Sequence, residues 1–433
     1  MKIQIQRLVH SRYLFALTGS IWWLAFYPGF YSADSFGVLS QIKNGSISNS
    51  YTCAWPLVLQ VLTFGGKFPA LGTLFCVLIF SYSVQYFIER VVQAKLRPTI
   101  SFIFLVSPLV GVMGVTLWHD IPMTAGFLFI TAIAASSNLF TKTLASSEWI
   151  HLVLAACLVS LRPNGLPVLI LFFVMALLVR RQKVLLKIGA IAVGITLIFS
   201  ILTTLIAGQA TMFNSWYAQE WMRSDIACEF SNHPEAFSSE LELELSAVAP
   251  LSTWKNPSGC TFLNNLKLDP VQQDISIIKV PKIWRELFFK KPLNLLAIHI
   301  TRNDYLLPIP TFRAMHPPFI QSNIEQANQG ISFALPSVAE KLRIYPRLWN
   351  ALRPVTSFAG LWILLVSILL IVKRKSPQLL LPPYLMSISL IFILFIFAPI
   401  PDGRYALFVL VASQILILDY VLSKIRSRSK VKK

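Results

Sequence analysis

Four short polar motifs fall at the ends of long apolar runs, and each carries a carboxylate or a guanidinium. They are Tyr27-Pro28-Gly29-Phe30-Tyr31-Ser32-Ala33-Asp34, Trp118-His119-Asp120, Leu161-Arg162-Pro163-Asn164-Gly165 and Pro399-Ile400-Pro401-Asp402-Gly403-Arg404-Tyr405. A carboxylate can take the proton of an attacking hydroxyl, and general-base help of that kind is worth roughly 10²–10⁴ in rate. A guanidinium stays charged and presents a planar fork of donors that fits anionic oxygens. Placed together, these types suit proton removal beside an anion.

Each residue also has a plainer reading. Asp120 precedes Ile121-Pro122 and could cap a helix, because proline favours the first helical turn. Asp402 beside Gly403 could belong to a turn. Arg404 could anchor to lipid headgroups, and Arg162 could offset the negative end of a helix. His119 is more simply a packed interfacial residue than a proton carrier. Asp34 has the weakest structural reading, since no obvious helix start follows it directly.

The elements that must position these groups are membrane helices. Apolar residues make up 55% of the 433, charged residues only 13%, and mean hydropathy is +0.63. A soluble domain of this size needs more charge to cover its surface. Reading apolar runs bounded by charge gives about ten spans: near residues 13–30, 68–88, 99–117, 122–140, 149–161, 165–179, 188–208, 354–372, 379–398 and 404–423. The fifth and sixth are short and are split at Pro163. The run after Lys2, Arg7 and Arg12 passes through Trp22 and Trp23 without a small-residue cleavage pattern, so it reads as a retained first span. The fold class expected is an all-α polytopic membrane protein.

Net charge is +19 with a pI near 9.9. In a soluble chain that would point to nucleic acid, but here Lys and Arg cluster in short inter-span segments. No nucleic-acid partner is expected; the lipid bilayer is. One set of connections holds Arg90, Lys95, Arg97, Lys142, Arg180, Arg181, Lys183, Lys187, Lys373, Arg374, Lys375 and the basic tail, whereas the short connections opposite hold Lys43, Lys67, Arg162 and Arg404. The positive-inside rule then puts both termini in the cytoplasm of an inner (plasma) membrane protein and all four motifs outside. Ionisable groups are costly at membrane depth, so their sidedness points to one shared polar cavity.

Three parts follow from the pattern. Residues 1–208 form an N-terminal transmembrane module with a first external loop at 31–67, whose apolar stretches Phe36–Ile42 and Trp55–Phe64 suit interfacial helices. Residues 209–353 form a large external segment, read as compact and loop-rich, in which Glu240, Glu242 and Glu244 alternate with Leu241, Leu243 and Leu245. Residues 354–433 hold the last three helices and a basic tail. Cys228 and Cys260 both fall in the external segment, where an oxidising compartment would permit a disulfide. No Cys/His spacing suits zinc.

At Asp34, Asp120 and Asp402-Gly403-Arg404-Tyr405 the chain resembles the GT-C superfamily of polytopic glycosyltransferases that use polyprenyl-phosphate-linked sugars. The resemblance lies in an acidic residue just past the first span, a long first external loop, an acidic residue in the next loop, and a charged element before a late span. Trp284-Arg285-Glu286-Leu287-Phe288-Phe289-Lys290-Lys291-Pro292 through Arg302 also resembles a stretch those enzymes often carry. The resemblance implies a polyprenyl-phosphate sugar donor, an envelope glycan, lipid or protein acceptor, and in-line transfer with inversion. It implies Asp34 as base and Asp120 as the residue positioning the acceptor or a divalent cation. Arg404, then Arg162 and Arg302, would meet the donor phosphate. His119, Asn164, Asp402 and Tyr405 would position substrate. Ser35 stands where several of these families have a second acidic residue, which leaves the cofactor open, a divalent cation included.

Two other readings compete. An O-antigen ligase or polymerase would use Arg302, Arg313 and His316, and is separated by whether a whole glycan or one sugar is moved. A transporter or flippase of lipid-linked sugars would carry its ionisable residues near the bilayer midplane in repeated halves; here they sit at span ends and the halves look unlike.

Overall fold

The computed structural model describes residues 13–49, 52–136, 144–179, 183–210, 212, 218–255, 268, 270–307, 333–342, 344, 358–372, 379–398 and 403–431. Among these, every extended regular element is helical, and the strand-like pairing is confined to an isolated parallel bridge between Phe30 and Thr116.

The chain begins with α1 (Leu14–Ala25), followed by two short helices of the first loop, α2 (Ala33–Asn44) and α3 (Ala54–Leu62). At twelve and nine residues, neither is long enough to cross a bilayer. Next comes α4 (Pro69–Val91), then a pair bent by 48°, α5 (Arg97–Leu105) and α6 (Pro108–Gly114). The bend has a local cause. Pro108 has no N–H to continue α5, and Ser107 restarts the helix as its cap, accepting from the Val110 amide at 3.4 Å. The Leu105 carbonyl near the break accepts the Trp22 indole N–H at 3.1 Å. Then follow α7 (Asp120–Ser136), α8 (Ser146–Val159), α9 (Gly165–Leu178) and α10 (Lys183–Ile206).

Each of the ten apolar runs corresponds to a described helical element. Among the described residues, three helices are long and apolar enough to span alone: α4, α10 and the stretch Gly403–Ser429. The bent pair taken as one span adds a fourth, and six shorter apolar helices match the remaining runs. The protein is an all-α polytopic membrane protein. Its helices carry the pattern expected of one. On α10, Ile198, Ile201, Leu202 and Leu205 stand exposed at helical spacing, while Thr196 on the buried face donates to the Ala156 carbonyl at 3.0 Å.

The described part of residues 209–353, the segment expected to be external, is more regular than its sequence implies. Among its described residues lie α11 (Glu220–Asn232), α12 (Ser239–Val248), α13 (Leu251–Trp254), α14 (Pro270–Lys290), α15 (Pro292–Arg302) and α16 (Pro336–Leu342). The alternating Glu/Leu stretch, read as part of a loop-rich region, is helical. Ser238 caps it, and a period of two still places Leu241 and Leu245 four apart on one buried face while Leu243 points out. These leucines join Ile226, Phe230, Trp254, Val280, Ile283 and Leu287 in a core separate from that of the membrane helices. The last elements are α17 (Ala359–Val372), α18 (Leu381–Phe397) and α19 (Leu407–Val431).

Two glycines mark close approaches. Gly29 has φ +112° and its Cβ position lies 2.5 Å from the Thr73 side chain, so the turn after α1 requires glycine twice over. At Gly126 a Cβ would sit 2.6 Å from the Ala155 carbonyl, which lets α7 press on α8. Gly126→Ala is therefore expected to destabilise the fold by about 1–3 kcal/mol through overpacking. Thermal unfolding in detergent measures this, and an unchanged midpoint would mean that the α7–α8 contact is loose.

Candidate functional site

The site is built where four helix ends meet. Backbone bonds from the Phe30 amide to the Val115 carbonyl and from the Leu117 amide to the Phe30 carbonyl, both 3.0 Å, fasten the chain after α1 to the chain before α7. Ser32 and Ser35 then form a capping box at the start of α2, and Ser35 also donates to the Leu117 carbonyl at 2.8 Å. Asp34 accordingly lies in the first turn of a helix, where the dipole favours a carboxylate. This corrects the reading that no helix start adjoins it. The signal was present in Ser32-x-x-Ser35, with serine in place of the usual Glu or Gln. The Ser32 hydroxyl also accepts the Trp118 indole N–H at 2.7 Å, tying the two motifs together.

Asp34, Asp120, Arg162 and Arg404 are brought into one cluster. Arg404 Nη2 lies 2.8 Å from Asp34 Oδ2, and its Nε lies 4.0 Å from Asp120 Oδ2. Arg162 pairs with the other oxygen of Asp120. Aromatic faces complete the enclosure. The Arg162 guanidinium stacks 4.3 Å over the Tyr405 ring, and that of Arg404 lies 5.1 Å over the same ring and 4.8 Å over Trp118. Exposure grades across the cluster. The Asp120 side chain is 0% exposed, Arg162 7%, Arg404 10% and Asp34 28%. Asp34 is thus the member that faces solvent, while Asp120 is the shared counter-ion beneath.

The remaining sequence candidates divide. His119 is buried, and burial, followed by the charges of Arg162 and Arg404, holds its ring well below the usual histidine range, so it is neutral at physiological pH. Tyr405 is both a stacking face and a partner of Arg404, whose Nη2 lies 3.4 Å from the phenol oxygen. Asn164 precedes α9, its carbonyl accepting from the Val168 amide at 3.2 Å. Asp402, Arg313 and His316 lie outside the described residues.

Arg302 is placed elsewhere. Its Nη1 pairs with Asp225 Oδ1 at 2.7 Å inside the external segment, and both side chains are fully buried. Cys228 is disulfide-bonded, while Cys53, Cys76 and Cys157 are free thiols; Cys260 lies outside the described residues. Among the described residues no group of three or more His, Cys, Asp or Glu is arranged to hold a metal ion.

Sequence reasoning missed Glu220, at the start of α11. Burial raises its carboxyl above the ordinary value, Arg223 opposes this, and the charge of Asp34 raises it further. Glu220 therefore lies within electrostatic reach of Asp34. Nothing local in the sequence marks it, because the approach spans the first loop and the external segment.

No family model matches the chain, and no curated protein does. Among solved structures it is similar to the crystal structure of ArnT from Cupriavidus metallidurans bound to undecaprenyl phosphate, with 13% identity and a TM-score of 0.37, over 93% of this chain and 77% of that one. That is a loose likeness of outline.

Two outcomes follow from the electrostatics. Asp120→Asn removes the buried carboxylate that pairs with Arg162, and breaking such a pair costs about 3–5 kcal/mol; the midpoint of thermal unfolding in detergent should drop sharply, and a small change would remove Asp120 as the organising charge. For Glu220 the raised folded value means that the native state holds its proton more tightly than the unfolded chain. The stability it contributes is complete below the unfolded carboxylate value and is lost as pH rises through the folded one. Glu220→Gln should therefore match the parent in acid and exceed it near neutrality, in melting curves taken across pH.

Proposed function

We propose that this chain is a membrane glycosyltransferase that moves a sugar from a polyprenyl-phosphate carrier to a hydroxyl of an envelope glycan, lipid or protein on the external face. The observation that carries the reading is the cluster itself. Two guanidiniums and two carboxylates, drawn from positions 34 to 404, share one site at the end of an apolar helical bundle. A donor with a polyprenyl tail stays in the bilayer, so its sugar phosphate reacts where the membrane helices end. Both termini then lie in the cytoplasm, in line with the distribution of basic connections.

In the proposed step the acceptor oxygen attacks the anomeric carbon in line. The bond from that carbon to the phosphate oxygen breaks, its electron pair stays on the lipid phosphate, and the configuration inverts. Arg404 and Arg162 meet the charge that grows on the leaving phosphate; fixed donors of this kind are commonly worth about 10²–10³ in rate each. The acceptor proton passes to Asp34, the carboxylate nearest solvent. The ion pair between Arg404 and Asp34 gives the step an order. Arg404 Nη2 lies 2.8 Å from Asp34 Oδ2, and an arriving phosphate competes for that guanidinium, so donor binding frees the Asp34 carboxylate to meet the acceptor hydroxyl. Asp120 then acts through the arginines as their fixed counter-ion, and Tyr405 and Trp118 hold the arginines in place.

Asp34→Asn is expected to lower sugar transfer by about 10²–10⁴ in a radiolabelled-sugar assay, with undecaprenyl phosphate binding and membrane insertion retained. A fully active Asp34→Asn enzyme would remove Asp34 as the base. Arg404→Ala should weaken binding of undecaprenyl phosphate more than it changes the acceptor KM, and an equal loss of both would argue against a phosphate contact.

A further inference from the structure

The end of α18 poses a problem that its own backbone cannot solve. The last carbonyls of any helix lack intrahelical partners. The Leu394 carbonyl accepts the Ala398 amide at 2.8 Å, and the next in line, Phe395, would need the N–H of residue 399. Residue 399 is proline and has none. A carbonyl left unpaired at the end of a membrane helix is costly.

The external segment supplies the missing donors. His299 Nε2 bonds to the Phe395 carbonyl, and Asn303 Nδ2 donates to the same oxygen at 3.2 Å, from 96 and 92 residues away in sequence. The rest of the group holds the other edge of the His299 ring: Nδ1 lies 2.9 Å from Arg302 Nη2 and 3.4 Å from Asp225 Oδ2. Arg302 is fixed by Asp225 at 2.7 Å, and Asp225 accepts the Trp284 indole N–H at 3.0 Å. Trp221 packs edge-on against His299, Trp284 and Phe397. Asp225, Arg302 and Asn303 are each no more than 1% exposed. That is a large investment of buried polar groups for one carbonyl.

We infer that His299, Asn303, Arg302 and Asp225 are positioning residues that set the placement of Arg404. They cap the Phe395 carbonyl from the external segment and so fix where the chain leaves α18, nine residues before Arg404. Arg302 acts on His299 and does not meet the donor phosphate. The catalytic consequence rests on the phosphate contact proposed for Arg404; the cap itself does not.

The test uses the full-length protein in nanodiscs, with three readouts: hydrogen exchange of peptides covering residues 395–406, binding of undecaprenyl phosphate, and transfer rate. Glutamine keeps an N–H near the Nε2 position of histidine, whereas leucine does not. His299→Leu and Asp225→Asn should speed exchange across 395–406 and lower kcat by about tenfold to a hundredfold, the range a 1 Å misplacement produces. His299→Gln should stay near the parent in exchange and recover most of the rate, which shows that the loss in His299→Leu is not general unfolding. Parent-like exchange in His299→Leu overturns the cap. Loss of undecaprenyl phosphate binding in Arg302→Met but not in Asp225→Asn overturns the positioning role and makes Arg302 a phosphate ligand. Should the parent bind no undecaprenyl phosphate while the exchange pattern holds, the cap stands and the proposed function falls.

Discussion

The architecture depends on a carboxylate that water does not reach. Asp120 is tolerable at 0% exposure only because guanidiniums from two other helix ends stand against its oxygens. That requirement forces the start of α7, the turn after α8 and the chain entering α19 into one place. The pairing of Phe30 with Thr116 and the Ser32–Trp118 bond then bring the first loop to the same spot. Charge demand and helix packing therefore specify the same geometry, and neither could relax without the other.

Much of this was legible because membrane helices announce themselves. Ten apolar runs map onto described helices, since spanning length and hydropathy are local properties. The four motifs could be singled out because a charge at the edge of an apolar run is unusual. The legible part ended where distant contacts begin. The helical start at Asp34 depends on serine at both ends of a capping box. The helicity of residues 239–248 was masked by a period-two pattern that also satisfies four-residue spacing. Arg302 is assigned to the phosphate through the resemblance of the stretch from Trp284, and only the fold separates a guanidinium facing Asp225 from one facing Asp120. Glu220 carries no sequence mark at all.

A recurrent device links stability to function in this chain: side chains from one segment satisfy backbone groups stranded in another. Trp22 accepts the task at the break between α5 and α6, and His299 with Asn303 at the end of α18. Both breaks carry proline, at 108 and 399. Pro399 has no N–H to offer the Phe395 carbonyl, and the break at Pro108 leaves the Leu105 carbonyl to a distant side chain; each such carbonyl becomes an attachment point. The external segment is thus bonded to the membrane helices by backbone as well as by apolar contact.

The stacking of two guanidiniums over Tyr405 has a wider consequence for recognising such proteins. No contiguous stretch encodes the centre, because its members come from positions 34, 120, 162, 404 and 405 and each is meaningful only beside the others. A substitution at one position would be accepted most readily when a partner changed with it. The diagnostic signature of this architecture is then a correlation among separated columns, visible to pairwise statistics and almost invisible to a motif search.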